Sequence, residues 1–316
     1  MKISIIIPVY DVEQYIGKCL DSCLNQDLPK DEYEIVVVDD GSPDNSSRIV
    51  EGYMKKFSNI RLIHRENGGL SAARNTGLRE AKGAYVWFVD SDDWIEPNIL
   101  NSICNLVVED SLDVLCFNLQ LVFPDGRKNP YCIQYDDSKK VLRGGDFLSE
   151  VTMPPAAWAA IFKKDYLVEN KLQFYEGILH EDQEFTPRAY CLAKRILYID
   201  KIFYNYNQRE GSIMKSKQKK RKCENLLTVA DSLFNFANNK LEKGTKEYDV
   251  ILGKVAFAFS QSLTYYDKDY FSINIYTQKP YYPLSVHHLT NKKEKIKYKL
   301  LNISLKLYLM IYKYIK

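Results

Sequence analysis

The stretch Tyr85-Val86-Trp87-Phe88-Val89-Asp90-Ser91-Asp92-Asp93 runs apolar and then turns abruptly acidic. Its β-branched and aromatic content reads as a buried strand. Three carboxylates packed at the C-terminal end of that strand concentrate negative charge where a sheet edge opens to solvent. Like charges this close repel unless a cation sits between them. Mg²⁺ or Mn²⁺ suits such a place, because both take carboxylate oxygens and keep positions open for substrate phosphates. The same residues also read as a solvated turn and a helix cap ahead of Trp94-Ile95-Glu96-Pro97.

On either side of this stretch, apolar runs alternate with amphipathic segments, the pattern of βαβ units around a parallel sheet. Strands are expected at Ile3 to Val9, Glu34 to Val38, Ile60 to His64, Ala84 to Val89 and Val114 to Phe117. Helical spacing marks Val12 to Asn25 and Ser46 to Lys56, with Asp44 and Asn45 as the cap of the second. The fold class is therefore α/β, a Rossmann-like and mainly parallel mixed sheet flanked by helices, with ligands expected at the strand C-terminal ends. Every polar cluster of this half falls at such an end: Tyr10-Asp11, Asp39-Asp40-Gly41-Ser42, Arg65 to Gly69 and Asp90 to Asp93.

Beyond residue 118 the pattern changes. Leu119 to Phe123 and Tyr131 to Tyr135, around Pro124-Asp125-Gly126-Arg127, read as a hairpin, and a helical region rich in Leu, Phe, Asn and Lys opens after Met214. The division expected is 1–215 for a nucleotide- and acceptor-binding domain and 216–316 for a helical C-terminal extension. With 316 residues, 46% hydrophobic and 27% charged, the chain has the make-up of a globular protein, and a net charge of +3 gives no nucleic-acid signature. Seven scattered cysteines show no metal-ligand spacing and read as thiols of a reducing cytoplasm. No signal peptide is read at the N-terminus, and no apolar run reaches the ~18 residues of a membrane span.

The carboxylate of Asp40 at the end of the second strand can read a base edge or a ribose, or it can close an Asx-turn around Gly41. Asn67-Gly68-Gly69-Leu70-Ser71-Ala72-Ala73-Arg74-Asn75 is a small-residue loop feeding a helix, and it fits neither a dinucleotide fingerprint nor a P-loop. Arg74 there can meet an anion or form a structural salt bridge.

Taken in order, Ser4 to Tyr10, Val36 to Asp44, Asn67 to Asn75 and Phe88 to Asp93 resemble the signature of the inverting family 2 glycosyltransferases with a GT-A fold. The resemblance covers about residues 1 to 215. It implies that Pro8, Tyr10 and Asp40 line the nucleoside pocket, with Asp40 toward uracil if the donor is a UDP-sugar. It further implies that Arg74 lies along the nucleotide, that Asp90 with Ser91 faces the ribose or a metal-bound water, and that Asp92 is the direct ligand of Mn²⁺ or Mg²⁺. Asp93 is expected to be structural. In His180-Glu181-Asp182-Gln183-Glu184, the resemblance makes Asp182 the base that takes the acceptor hydroxyl proton, with Glu181 as second choice. Acids in a first helical turn also complement the helix dipole. Trp158 is expected in the sugar and acceptor pocket or, alternatively, in the core, and Arg209 and Ser212 are expected to stabilise the departing UDP.

The tail from Asn291 begins basic and becomes apolar, which suits a helix lying on a membrane surface, docked on the protein body, or packed against a second subunit. The function expected is transfer of a sugar from a nucleotide donor to a hydroxyl of a lipid-linked surface glycan, at the cytoplasmic face of a bacterial membrane. A nucleotidyltransferase and a non-catalytic binding module are the competing classes.

Overall fold

Every residue of Ile3–Val9 and of Tyr33–Asp39 is buried, as expected of strands inside a parallel sheet covered on both faces. The computed structural model describes residues 1–131, 133, 135, 140–209, 218–269, 271–285 and 292–309. It divides into two compact units, Met1–Gly177 with Ala189–Ser216, and Ile178–Arg188 with Lys217–Lys316. The passage at Ser216 lies beside the expected boundary. Residues 178–188, expected with the strands, group instead with the helical unit.

Among the described residues of the first unit, nine strands form one sheet. They are β1 (Ile3–Val9), β2 (Tyr33–Asp39), β3 (Ile60–His64), β4 (Tyr85–Phe88), β5 (Trp94–Ile95), β6 (Val114–Val122), β7 (Lys128–Pro130), β8 (Ala160–Lys163) and β9 (Ile196–Asn207). The order is β3-β2-β1-β4-β8-β6-β9-β5, with β7 paired to β6. β1 to β4 are parallel, β8 runs antiparallel between β4 and β6, and β9 returns parallel to β6. The expected hairpin is present, but its second arm is β7 rather than Tyr131 to Tyr135. Gly126, at φ 85, closes the turn, with Gly126 N–H on the Phe123 carbonyl and Phe123 N–H on the Arg127 carbonyl. That register pairs Gln120 with Pro130 and draws the strand forward.

Pro8 shapes the open edge of the sheet. The β1–β4 ladder ends at Ile6↔Phe88, closed by Val89 N–H on the Ile6 carbonyl, while β1 stays paired to β2 through Val9↔Asp39. Pro8 carries no N–H to extend the ladder toward β4. The chain after Val89 is thus released from the sheet at the point where the acidic turn begins.

The helix Leu70–Glu80 lies on β1 and β2 with its small residues inward, Ser71, Ala72, Ala73 and Gly77 all buried. A Cβ on Gly77 would stand 2.2 Å from Ile6 Cγ2 and 3.4 Å from Val38 Cγ2. Gly77→Ala is therefore expected to cost about 1–3 kcal/mol through overpacking, despite the better helix propensity of alanine. A urea midpoint unchanged by the substitution would count against this close packing.

In the second unit, Lys219–Lys240 and Lys246–Ser262 pack as a helical hairpin. Gly244 at φ 85 makes the turn, and Thr245 caps the second helix by accepting the Tyr248 N–H. Leu226, Leu233, Ile251, Val255 and Phe259 form its dry seam. The later helix Lys292–Ile303 is fastened by Asn302, whose side chain both accepts the Leu284 N–H and donates to the Leu284 carbonyl, at 2.7 Å each. All six described cysteines are buried. No helix among the described residues is long and apolar enough to cross a membrane.

Candidate active site

The loops after β1 and β2 are stitched together. Asp11, at φ 55, donates its N–H to Ser42 Oγ at 2.8 Å, and Glu13 N–H donates to Asp44 Oδ2 at 2.7 Å. Asp44 also accepts from the Ser46 N–H and the Ser42 hydroxyl. Burial raises its pKa, and the hydrogen bonds from Ser46, Ser42 and Glu13 outweigh that, lowering it to about 2. This rim leaves Tyr10 half exposed beside buried Pro8.

Asp40 is almost wholly buried and holds the next loop. Its Oδ1 accepts from Arg65 and from the Gly68 N–H, and its Oδ2 from the Gly69 N–H at 2.7 Å. Gly69 sits at φ 86, a conformation in which side chains are strained. These bonds take three of the about four lone-pair directions of a carboxylate. Asp40 thus builds the loop before it can read any base. Arg65 was not singled out from the sequence; its basic residue at the end of β3 was the available signal. Asn75, also overlooked, pins the segment before residue 177 by accepting the Phe174 N–H and donating to the Phe174 carbonyl and to Glu176.

The acidic turn is assembled from three directions. Arg74, 1% exposed, donates through Nη2 to Asp90 Oδ1 at 2.7 Å, and its guanidinium lies 5.2 Å from the Phe174 ring centre. Arg209 donates through Nε to Asp92 Oδ2 at 2.6 Å and lies over the Tyr15 ring. Burial raises the pKa of Asp92, the charge of Asp90 adds to it, and Arg209 opposes both. Ser91 is buried between them.

Asp93 has a different task. It accepts from the Tyr204 hydroxyl at 2.7 Å and from the Asn207 N–H at 2.8 Å, and the same Tyr204 oxygen accepts the Asp90 N–H. Asn207 Nδ2 donates to the Asp92 carbonyl. Burial, reinforced by Asp92 and Asp90, pushes the Asp93 carboxyl well above its ordinary range. The expected structural role holds. Its reach is longer than a turn cap, because Asp93 sews the turn to the far end of β9.

Of the two places expected for Trp158, the structure shows packing in the core. Its ring stacks on Tyr204, with centroids 4.5 Å apart and planes 9° from parallel, and it also packs near Tyr206. Its carbonyl accepts from Trp87 Nε1. At 7% exposure it belongs to the core, where it backs the tyrosine that holds Asp93. Ser212 lies outside the described residues.

Glu181 and Asp182 open the helix Glu181–Cys191, whose first turns belong to the second unit. Thr186 Oγ1 donates to the Asp182 carbonyl, one turn ahead of Pro187, which has no N–H to give. Glu184 is anchored by Arg188 and by the Ser232 hydroxyl. His180 precedes the pair at φ 65, and burial, with Lys222 assisting, lowers its pKa. Its folded pKa thus lies below the unfolded one, so on acidification the unfolded chain takes up the proton first. The stability due to the neutral ring is complete above about pH 6.5 and declines as pH falls below that. His180→Asn, which tolerates positive φ, is expected to flatten the fall in thermal stability between pH 7.5 and 5.5. An unaltered slope in thermal melts would refute the buried neutral ring.

Among the described residues no set of three His, Cys, Asp or Glu side chains is arranged around a metal position. What the turn offers is the pair Asp90 and Asp92, two hard oxygen donors each already answered by an arginine.

The family model for Glycosyl transferase family 2 matches residues 4–168. EpsH of Bacillus subtilis strain 168, a provisionally named glycosyltransferase, is 34% identical over 259 residues, covering 79% of this chain and 74% of EpsH. The poly(ribitol-phosphate) β-glucosyltransferase of Bacillus spizizenii strain W23 is 38% identical over 68% of this chain, which spans only 33% of that protein. Among solved structures, Staphylococcus aureus TarS 1–349 in complex with UDP-GlcNAc superposes with a TM-score of 0.69 at 29% identity, covering 94% of this chain and 81% of TarS 1–349. The sheet order, the acidic turn after β4 and these relatives converge on one conclusion: the chain belongs to glycosyl transferase family 2, as a nucleotide-sugar glycosyltransferase of GT-A fold.

Proposed function

We propose that the enzyme transfers a sugar, with inversion, from a UDP-linked donor to a hydroxyl of a growing, lipid-linked surface glycan, using Mn²⁺ or Mg²⁺. The observation that carries this reading is the coupled pair Asp90 and Asp92 in the turn released after β4, each faced by a buried or half-buried arginine. The UDP-GlcNAc complex of TarS supports uridine as the nucleoside.

Pro8, Tyr10 and Asp40 surround the base, with Asp40 fixing the Gly68-Gly69 loop beside it. Arg74 steadies Asp90 toward the ribose, and Asp92 with Asp90 holds the cation. The hard carboxylate donor set fits Mn²⁺ or Mg²⁺, which when bound supplies positive charge to the leaving diphosphate. Arg209 adds a second, protein-borne positive charge there, a role for which Ser212 is the further candidate. On the acceptor side Asp182 takes the hydroxyl proton as that oxygen forms its bond to the anomeric carbon and the bond from that carbon to the UDP oxygen breaks. Glu181 is the alternative base. The C-terminal helical tail keeps the enzyme peripheral at the cytoplasmic face of the plasma membrane, where a lipid-linked acceptor lies.

A panel of UDP-, GDP- and dTDP-sugars in thermal melts tests the donor and the cation together. A ligand at 100 times its Kd adds about 2.7 kcal/mol, enough for a shift of several degrees. UDP-sugars alone should produce it, and only with Mn²⁺ or Mg²⁺ present. Equal stabilisation by GDP-sugars removes the uridine assignment, and stabilisation undiminished by EDTA removes the cation.

A further inference from the structure

The helix Lys292–Ile303 and the turn that continues it to Leu309 have two apolar faces, and the unit they belong to uses one. Tyr298, Leu301, Leu305 and Tyr308 are turned inward and buried. Asn302 is clamped to Leu284, the Tyr282 hydroxyl donates to the Leu301 carbonyl, and Lys297 Nζ donates to Ser260 Oγ. The orientation of the helix about its own axis is therefore fixed. The helix stops at Ile303, and Ser304 links it to a second helical segment from Leu305: its N–H meets the Leu300 carbonyl, its carbonyl accepts the Tyr308 N–H, and its hydroxyl caps the new turn by accepting the Leu307 N–H at 3.2 Å.

On the outer side Ile296, Leu300, Ile303 and Leu307 are 61%, 38%, 74% and 45% exposed. The spacing of four and three residues places Ile296, Leu300 and Ile303 in one row along a helix of about 3.6 residues per turn, and Leu307 is exposed on the helical segment that follows Ser304. A single exposed leucine needs no explanation, but a continuous apolar row does. Lys292 and Lys299, seven residues apart, lie in a second row beside the first, and exposed Lys306 stands next to Leu307 on the segment that follows. Between 292 and 309 six lysines face one glutamate, more positive charge than the net +3 of the whole chain.

This arrangement decides between two occupants. A second copy could pair along the row as a coiled-coil seam. The flanking positions would then bring Lys292, Lys299 and Lys306 against the same lysines or against Lys297 and Ser304 of the other copy, with no acid to answer them. An anionic lipid surface satisfies both rows at once: acyl chains and glycerol backbone for the apolar residues, phosphate and carboxylate headgroups for the lysines.

We propose that the row Ile296, Leu300, Ile303 and Leu307, with its flanking lysines, is a docking face for an anionic bilayer, on which the helix lies flat with its inner face seated in the protein. This rests on the reading of the enzyme as one that serves lipid-linked acceptors, and it names the surface and the lipid charge that hold it there.

The test is sedimentation of the full chain with vesicles of phosphatidylcholine alone and of phosphatidylcholine with about a third phosphatidylserine. Binding is expected to the anionic vesicles and to fall as salt rises. Ile303→Gln with Leu307→Gln should lower the partition coefficient at least tenfold, on the order of what two apolar side chains contribute. Lys299→Gln with Lys306→Gln should lower it about tenfold on anionic vesicles and leave neutral ones unchanged. Both pairs change exposed side chains, so melting temperatures should match the parent. Three results overturn the proposal: no vesicle binding by the parent, parental binding by both variants, or a dimer in analytical ultracentrifugation that Ile303→Gln with Leu307→Gln disperses. Donor hydrolysis in vesicle-free buffer separates this proposal from the one it rests on. If hydrolysis persists while vesicle binding fails, only the docking face falls; if UDP-sugar turnover fails while vesicles still bind, the functional reading falls.

Discussion

Asp182→Asn is expected to lower kcat for transfer by about 10²–10⁴-fold, the usual contribution of a positioned general base, with little change in donor affinity. The asparagine keeps the size and hydrogen-bonding shape of the aspartate and removes its capacity to accept a proton. The first turn around it is also held by Thr186 on the Asp182 carbonyl and by Glu184 between Arg188 and Ser232, and a melting temperature matching the parent checks that the fold is kept. A fall in kcat with constant donor KM locates the proton acceptor at this position. Full transfer by Asp182→Asn moves the role to Glu181, for which Glu181→Gln is the matching test.

A second pair of substitutions should act with opposite signs on the cation. Asp92→Ala removes a ligand and should lower transfer by about 10²–10³-fold, as expected for loss of several kcal/mol of leaving-group stabilisation. It should also abolish the Mn²⁺-dependent part of thermal stabilisation by UDP. Arg209→Ala removes the positive charge that now occupies Asp92 Oδ2, and leaves that carboxylate beside Asp90. Without nucleotide, Mn²⁺ should then bind about fivefold more tightly, the value of a partly exposed ion pair, while UDP binds more weakly. Calorimetric titration of Mn²⁺ into both variants reads this directly. Weaker Mn²⁺ binding by Arg209→Ala would contradict a shared position for arginine and cation at Asp92.

Much of this was legible in the chain because the relevant signals are local. Apolar runs ending in Gly, Asp or Asn located β1 to β4 within a residue at each end, and the acidic turn was visible as composition alone. The enzyme class followed from four ordered motifs, and family membership sets aside the nucleotidyltransferase and the binding module. What stayed hidden depends on partners far apart in sequence. Asp93 and Tyr204 are 111 residues apart, and no periodicity connects them. For Trp158 the sequence left core and pocket both open, and its stacking partner Tyr204 lies 46 residues on. Buried Glu34 accepts from Ser4, Arg61 and the Lys82 N–H at the closed end of the sheet, a polar network that an apolar strand pattern cannot announce. The lysine row at 292, 299 and 306 was legible as charge, whereas the division of the helix into a seated and an open face needed its packing.

The bond set around Asp93 bears on how this enzyme can be re-engineered. Asp93, Tyr204 and Asn207 form one lock whose halves are encoded in different parts of the gene, and Trp158 backs the tyrosine. The Tyr10 rim and the Arg65 to Gly69 loop are exchangeable parts, since their partners lie within the adjoining loops. The acidic turn is not. A chimera that imports a relative's turn without its β9 terminus inherits a key without its lock, and homologous recombination within the family should therefore succeed only where crossovers keep 89–95 and 204–207 from the same parent.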